Sequence, residues 1–301
     1  MTGHGAGQHL DHRRLVDELF RDVTPSPEPS IVILTGGPGS APARAIARLR
    51  AEYDDPVAVI DNNQLAALSG SADIAAQCVQ FALSSRRSLV MCSSTPDIPA
   101  EMLASFADAE FTTRIVSVSA RQTESLLSVV SAQLREAEIE ALGTVESFDE
   151  DWSSSRSFVR STQADADAYR VTVMDGDGNI PFDGSGEGAV RAFDEARLLP
   201  MSNLQSVAWL GELRRLAAYA VSGVPSRPST SIREALIRLH EMALHQVLPQ
   251  LPIRRDGPVA AAQLASLLKQ RDRLAQDHRF DTSERARPSV QPPTSGGSRG
   301  L

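Results

Sequence analysis

The sequence predicts an α/β fold of three layers, a largely parallel sheet between helices, followed by a C-terminal helical region. Three observations carry this. Short apolar runs rich in β-branched residues, of which Ile31-Val32-Ile33-Leu34 is the clearest, lack polar alternation and suit strands buried on both faces of a parallel sheet. These runs alternate with segments of helical spacing, as βαβ units require. After Gly188 the strand signal stops and only helical patterns follow.

In order, residues 10–22 place Leu10, Leu15, Val16, Leu19 and Phe20 at helical spacing, which predicts a short leading helix. Thr24-Pro25-Ser26-Pro27-Glu28-Pro29 is an extended connector that no helix crosses. Strands are expected at 31–34, 57–60, 88–92, 114–118 and 169–174, with helices at 43–53, 64–84, 98–108 and 121–142. The acidic run Asp149-Glu150-Asp151 with Trp152 and three serines reads as an exposed loop, with a lid as the alternative, and Asp175-Gly176-Asp177-Gly178-Asn179 as a turn. Helices follow at 188–198, 202–222, 231–248 and 258–278. Ser231 with Glu234 has capping-box spacing, and Pro258 after Gly257 suits a first turn. Trp209, Leu210, Leu213, Leu216 and Tyr219 form an apolar stripe suited to core packing, with a partner groove as the alternative. The tail from Arg279, rich in Ser, Pro, Gly and Arg, reads as disordered. The expected organisation is a leading helix and connector over 1–28, an α/β domain over 29–187, a helical accessory region over 188–278 and a tail over 279–301.

Composition narrows the function. A net charge of −8 provides no general field for nucleic-acid phosphates. No run approaches the roughly 18 apolar residues of a membrane span, and residues 1–8 lack a signal-peptide core. The expectation is a cytoplasmic protein that binds neither nucleic acid nor membrane. Cys78 and Cys92, in apolar surroundings without metal-ligand spacing, read as buried free thiols, so no metal site is expected. Basic charge is almost all arginine, as in arginine-rich bacterial proteomes, and Lys269 is the sole lysine.

The segment from Ile31 to Arg44 runs strand, glycine-rich turn, helix, the context of a P-loop. In the pattern Gly-x4-Gly-Lys-Ser/Thr, backbone N–H groups wrap nucleotide phosphates, the lysine reaches the outer phosphates and the hydroxyl holds magnesium. Here Gly36, Gly37, Pro38, Gly39 and Ser40 form the loop, but Ala41, Pro42 and Ala43 occupy the final positions. Ala41 adds a Cβ where backbone must approach phosphate. Pro42 removes a cation and an N–H. Ala43 removes the hydroxyl. Proline is tolerated at a helix start, so these changes permit the fold while deleting the grip. On this segment alone, an ordinary βα loop of an unrelated α/β protein is the competing reading.

From residue 31 to about 185 the ordered motifs resemble the zeta-toxin family of P-loop kinases, which phosphorylate UDP-N-acetylglucosamine with ATP in bacterial toxin–antitoxin systems. The opening strand and loop, Val57-Ala58-Val59-Ile60-Asp61-Asn62-Asn63, and Ser88-Leu89-Val90-Met91-Cys92-Ser93-Ser94-Thr95 look like successive family motifs. Leu142-Gly143-Thr144 through Phe148-Asp149 resembles the family's arginine and His-Asp region, and Val171 to Gly178 its closing strand and turn. The resemblance implies a P-loop NTPase-like sheet, with ATP and magnesium as the family's cofactors. It also implies its own departures. The family's base aligns with Asn63, an amide that accepts no proton at neutral pH; its glutamate aligns with Ser93, an arginine falls near Thr144, and the paired histidine is Phe148. Asp61 and Thr95 are the candidate ligand contacts; Arg44 follows the lost hydroxyl position, but the displacement by one residue turns its side chain by about 100°, which weighs against a phosphate contact.

No histidine lies between residues 13 and 239, and Lys269 lies in the last helix, so neither replaces a lost group. The expected function is a nucleotide-binding-type pseudokinase that binds a protein, an antitoxin or an active relative, or a nucleotide sugar. A divergent active kinase and a decayed copy without biochemical function are the alternatives. Asp175-Gly176-Asp177-Gly178 also begins like a calcium loop, but Ile180 and Gly186 stand where glycine and glutamate are needed, so a solvated turn is expected.

Overall fold

Consecutive residues of Ile31-Val32-Ile33-Leu34 point to opposite faces, and both faces are buried, which sets the layers of the molecule. The structure, a computed structural model, describes residues 12–40, 42–61, 65, 73–93, 100–135, 145–162, 169–222 and 229–285. Its sheet contains β1 (Ser30–Gly36), β2 (Ala58–Asp61), β3 (Leu89–Ser93), β4 (Thr112–Ser119), β5 (Arg170–Asp175) and β6 (Phe182–Gly184). The strand order is β2-β3-β1-β4-β5-β6. Strands β1 to β5 are parallel, and β6 pairs antiparallel with β5. The first seven described helices are α1 (His12–Leu19), α2 (Pro42–Arg50), α3 (Asp73–Ser85), α4 (Ala100–Asp108), α5 (Gln122–Arg135), α6 (Val145–Ser161) and α7 (Ala189–Leu198).

Ile31, Ile33, Ile60 and Met91 on one face pack with Val16, Phe20, Cys78 and Phe106 from the helices around α1, α3 and α4. Val32, Leu34, Val90 and Val116 on the other face pack with Ala45 and Leu49 of α2. Val171 and Val173 of β5 form a further cluster with Val159 of α6 and Phe193 of α7. Helices therefore cover both faces, and the expected three-layer α/β fold is the observed one. The leading helix belongs to this core, because Val16, Phe20 and Val23 are buried in it. Its connector is pinned at the start of β3: Ser26 N–H donates to Arg86 O at 2.8 Å, and Arg87 Nη1 donates to Phe20 O at 2.7 Å.

Four readings from the sequence are corrected, and one strand, β6, joins those expected. The run at Asp149 to Ser155 is not a loop but part of α6. Phe148, Trp152, Ser155 and Val159 recur at helical spacing and turn inward, a signal masked by the serines and acids between them. The turn Asp175–Asn179 leads into β6, whose three residues are too few to show a strand pattern. The cap of the third helix after Gly188 is Ser229, whose side chain accepts from Ile232 N, and Ser231 lies inside the helix. Helical backbone continues past Arg279 to Arg285, beyond the expected start of the tail. The chain divides into compact units after Ser202 rather than after residue 187, because α7 packs on β5.

The unit from Asn203 onward contains α8 (Asn203–Ser222), α9 (Thr230–Met242) and α10 (Pro258–Arg285). A π-type turn at Ala243–Val247 and a 3₁₀ turn at Leu248–Gln250 follow α9. Trp209, Leu210, Leu213 and Leu216 are buried, as core packing of the stripe requires, while Tyr219 is exposed. No described helix is long and apolar enough to cross a membrane.

Two ionisable sets give acid sensitivity in separate pH windows. Hydrogen bonds from Arg156 hold Asp194, and hydrogen bonds from Arg170 hold Asp183, below the usual carboxylate range, with partial burial opposing in both cases. Their folded pKa values are depressed, so their stabilisation is present above the unfolded value near pH 4 and is lost as pH falls through the folded values. His240 is fully buried and donates Nδ1–H to Leu236 O at 2.7 Å. Burial lowers its pKa, with the hydrogen bond to Leu236 opposing, so its contribution is present above the unfolded value of about 6.5 and declines on acidification below it. The urea midpoint of the chain is therefore expected to fall between pH 7 and 5 and again below about pH 4. His240→Leu should flatten only the first window, and Asp194→Asn only the second.

Candidate functional site

Strand β1 lies between β3 and β4, and its C-terminal end opens into a glycine-rich loop that turns into α2. Ligands of open α/β sheets bind at such carboxyl ends, where the chain order reverses. A cavity of about 140 Å³ occupies this position. It is lined by the loop Gly36–Ser40 with Pro42, and by Asp61, Cys92 and Ser93 at the ends of β2 and β3. The structure thus brings together Asp61, Ser93 and the loop, three elements that the sequence placed separately. Ala41, Asn63, Thr95 and Thr144 lie outside the described residues.

The loop is built against protein on two sides. Gly39 has φ 70°, a left-handed conformation, and an added Cβ would collide with the carbonyl oxygen of Ser125 on α5. The Ser125 hydroxyl donates to Pro38 O, and Ser40 N–H donates to Gly37 O at 3.1 Å, closing the turn. Gly37 faces Trp152 and Ser155 of α6. Trp152 is fixed in turn, its Nε1–H donating to Ala120 O at 3.3 Å. The Arg197 guanidinium of α7 lies 3.6 Å from the centre of the Trp152 ring and 4.4 Å from that of Phe193. It donates to Trp152 O at 2.6 Å and Ser155 Oγ at 2.7 Å. Burial pulls the Arg197 pKa down to about 10, which still leaves it charged at neutral pH. Ser125 and Arg197 were not singled out from the sequence as parts of the site, and no signal marked them; Trp152 was read only within a loop that had a lid as its alternative, and the signal missed there was the inward spacing of α6.

Chemically the cavity is poor in cations. Among its described lining residues none is basic, and Asp61 is the one charged group. Pro42 opens α2 without an N–H, and Ala43 beside it has no hydroxyl. Arg44 reaches the turn after β5: Nη1 donates to Gly176 O at 3.0 Å and lies 3.6 Å from Asp177. Arg121 is bound to Glu124, Leu199 O and Pro200 O. Phe148 is buried. Burial, then the Asp61 carboxylate, pushes the Cys92 thiol up to about 12, with Arg50 opposing, and burial pushes Cys78 up to about 11. Both therefore stay protonated and unreactive. The Asp175–Asn179 turn satisfies itself: Asp175 Oδ1 accepts from Asp177 N and Asn179 N, and Oδ2 from Asn179 Nδ2. No cluster of three metal-ligating side chains occurs among the described residues. The residues present do not fit magnesium-bound nucleotide, since the cation, an N–H and the hydroxyl that would hold it are replaced.

A central parallel strand, a glycine loop and a following helix define a P-loop NTPase-like α/β protein. Among solved structures, the chain is similar to one from the PezAT chromosomal toxin–antitoxin system of the human pathogen Streptococcus pneumoniae. The two share 14% identity over 71% of this chain and 98% of that one, with a TM-score of 0.58. It is also similar to a structure of AvrRxo1-ORF1:-ORF2 with ATP, at 12% identity over 76% of this chain and 87% of the other, with a TM-score of 0.45. A native AvrRxo1-ORF1:-ORF2 complex gives 13% identity, 89% and 87% coverage, and a TM-score of 0.43. No protein-family model and no curated protein matches the chain. At these identities the likeness is one of fold, and the fold is that of the zeta-toxin-like P-loop kinases.

The loop geometry gives a direct test. Gly39→Ala is expected to destabilise the chain by about 2 kcal/mol or more, because the left-handed backbone costs a Cβ-bearing residue about 1–2 kcal/mol and the collision with Ser125 adds to it. Urea unfolding measures this. A change below about 0.5 kcal/mol would show that the loop is not held in this conformation.

Proposed function

We propose that this chain is a zeta-toxin-like pseudokinase: a P-loop kinase fold that has lost phosphotransfer and acts in the cytoplasm by binding. Its partner is a protein, either an antitoxin or an active relative, or a nucleotide sugar. The observation that carries this reading is the charge of the loop cavity, where a carboxylate is present and no basic side chain lines it among the described residues. Phosphoryl transfer is almost entirely positioning and electrostatic stabilisation of charge on the transferring group. Removal of one such donor costs about 100- to 1000-fold in rate. Lysine, hydroxyl and base are all replaced here, at Pro42, Ala43 and Asn63. The neighbour from a toxin–antitoxin system supports a protein partner as the class of ligand.

Calorimetric titration of the unmodified chain with Mg-ATP should give no measurable heat of binding. Ala41→Gly, Pro42→Lys and Ala43→Ser together restore close approach, an N–H, a cation and a hydroxyl, and should recover Mg-ATP binding while phosphorylation of UDP-N-acetylglucosamine stays at background. Adding Asn63→Asp should raise turnover by more than either change alone, the non-additive pattern of groups that act as one unit. Phosphorylation of UDP-N-acetylglucosamine by the unmodified chain would overturn the proposal. If the triple variant folds but binds no nucleotide, the segment is a βα loop that only mimics a P-loop.

A further inference from the structure

Between the turns that end α9 and the first turns of α10 lies a cavity of about 380 Å³. Its shape begins in the backbone. Past α9 the chain widens into the π-type turn Ala243–Val247, tightens at once into the 3₁₀ turn Leu248–Gln250, and becomes extended at Leu251. Such π-type turns are rare and gather at functional sites. The change of winding ends the helical path before α10, helped by Pro249, which has no N–H with which to continue a helix. Leu248, Leu251 and Ile253 line the cavity from this segment, and Ala260, Ala261 and Leu264 line it from α10.

The walls are held by their own backbone. Leu251 N–H donates to Leu248 O at 3.2 Å, Ile253 N–H to Leu251 O at 2.8 Å, and Gly257 N–H to Arg254 O at 2.9 Å. A concavity fixed in this way binds without first ordering its lining. Leu264 nonetheless stands 43% exposed, and Leu248, Leu251 and Ile253 are only partly buried. An apolar concavity of roughly 300–1,000 Å³ with a few polar groups at its edge is the usual form of a small-molecule site.

The polar edge has a sign. Arg255 and Asp256 immediately precede α10, so they stand at the end of the cavity where that helix starts. Asp256 is paired with Arg254, Nη2 to Oδ2 at 3.4 Å, whereas Arg255 has no ion pair among the described residues. The start of α10 adds the positive end of its dipole, and Gly257 before it has no side chain to cap it. One end of the cavity is therefore positive and the remainder is apolar.

We propose that this cavity binds a small aliphatic carboxylate, its chain along Leu251, Ile253 and Leu264 and its head at Arg255. Size sets the length of the chain. A dry cavity of about 150 Å³ holds a six-carbon ring, so one of about 380 Å³ that is open on one side takes a ligand of about 8–12 heavy atoms. Octanoate, with an eight-carbon chain, falls in that range. The site lies within the unit from Asn203 onward and does not involve the loop cavity.

Calorimetric titration of the intact chain with octanoate is expected to show one saturable site with a dissociation constant of roughly 0.1–1 mM. Affinity should rise about two- to fourfold per methylene from butanoate to octanoate, and level off beyond decanoate as the chain outgrows the cavity. Octylammonium should bind at least threefold more weakly than octanoate. Arg255→Gln should weaken octanoate by about threefold, as an exposed charge does, and leave octanol unchanged. Raising salt from about 0.05 to 0.5 M should erase that difference. Ala261 is exposed, so Ala261→Trp should fill the cavity and abolish binding while circular dichroism stays unchanged; Leu264→Gln, at a half-exposed position, should weaken octanoate at least fivefold. No saturable binding of octanoate up to about 10 mM would overturn the proposal. So would octylammonium binding as tightly as octanoate, or octanoate binding that a folded Ala261→Trp variant retains.

Discussion

The contact between Gly39 and the carbonyl of Ser125 governs the region that gives this fold its character. A loop between a buried parallel strand and a helix must reverse direction within a few residues, and it does so here through a left-handed glycine that only a residue without a Cβ satisfies. That glycine is seated on α5, and the Ser125 hydroxyl reaches back to Pro38. Gly37 is seated on α6 through Trp152, which Arg197 clamps from α7. The loop therefore has its shape from protein contacts on two sides, and no phosphate is required to order it.

This separates the stability of the fold from the chemistry of the loop. Stability comes from burial: Ile31, Ile33, Leu34, Ile60 and Leu89 are almost wholly inaccessible, and each such side chain contributes about 1.5–3 kcal/mol relative to exposure. Pro42 and Ala43 lie on the first turn of α2, where proline satisfies the backbone because its missing N–H would have had no intrahelical acceptor. The packed contacts of the sheet therefore do not depend on which side chains open this helix. Pro42 and Ala43 are not among the side chains that pack against the sheet; Ala45 and Leu49 of the same helix are.

The same separation explains what was legible in the sequence. Strands β1 to β5 were readable because strands buried on both faces are nearly continuous apolar runs, and Asp61 and Ser93 could be placed at the site because they end such runs. β6 was not, since Phe182-Asp183-Gly184 has no periodicity and is defined by pairing with Val171 to Val173. α6 was hidden by its acidic and serine-rich outer face, although Phe148, Trp152, Ser155 and Val159 keep helical spacing. The placement of α7 in the first unit was unreadable for another reason: its helical pattern is correct, but its partner β5 is a tertiary fact. Ser125 and Arg197 were missed likewise, because each acts on the loop or its support from far along the chain.

Nearly all the basic charge of this chain is arginine, so an arginine is the natural source of any cation at the loop cavity. The described arginines around the loop are committed elsewhere. Arg44 is tied to the carbonyl of Gly176, and Arg197 to Trp152 and Ser155. Arg121 holds Glu124 and the carbonyls of Leu199 and Pro200, with Asp177 at 3.8 Å. Hydrogen bonds to charged groups contribute about 1.5–3 kcal/mol each, so moving Arg121 into the cavity would sacrifice several kcal/mol of the contacts that fix the end of α7. Asp61 would be the one charge to attract it there. Arg44, Arg121 and Arg197 are thus each held by other parts of the fold, and none of them lines the loop cavity.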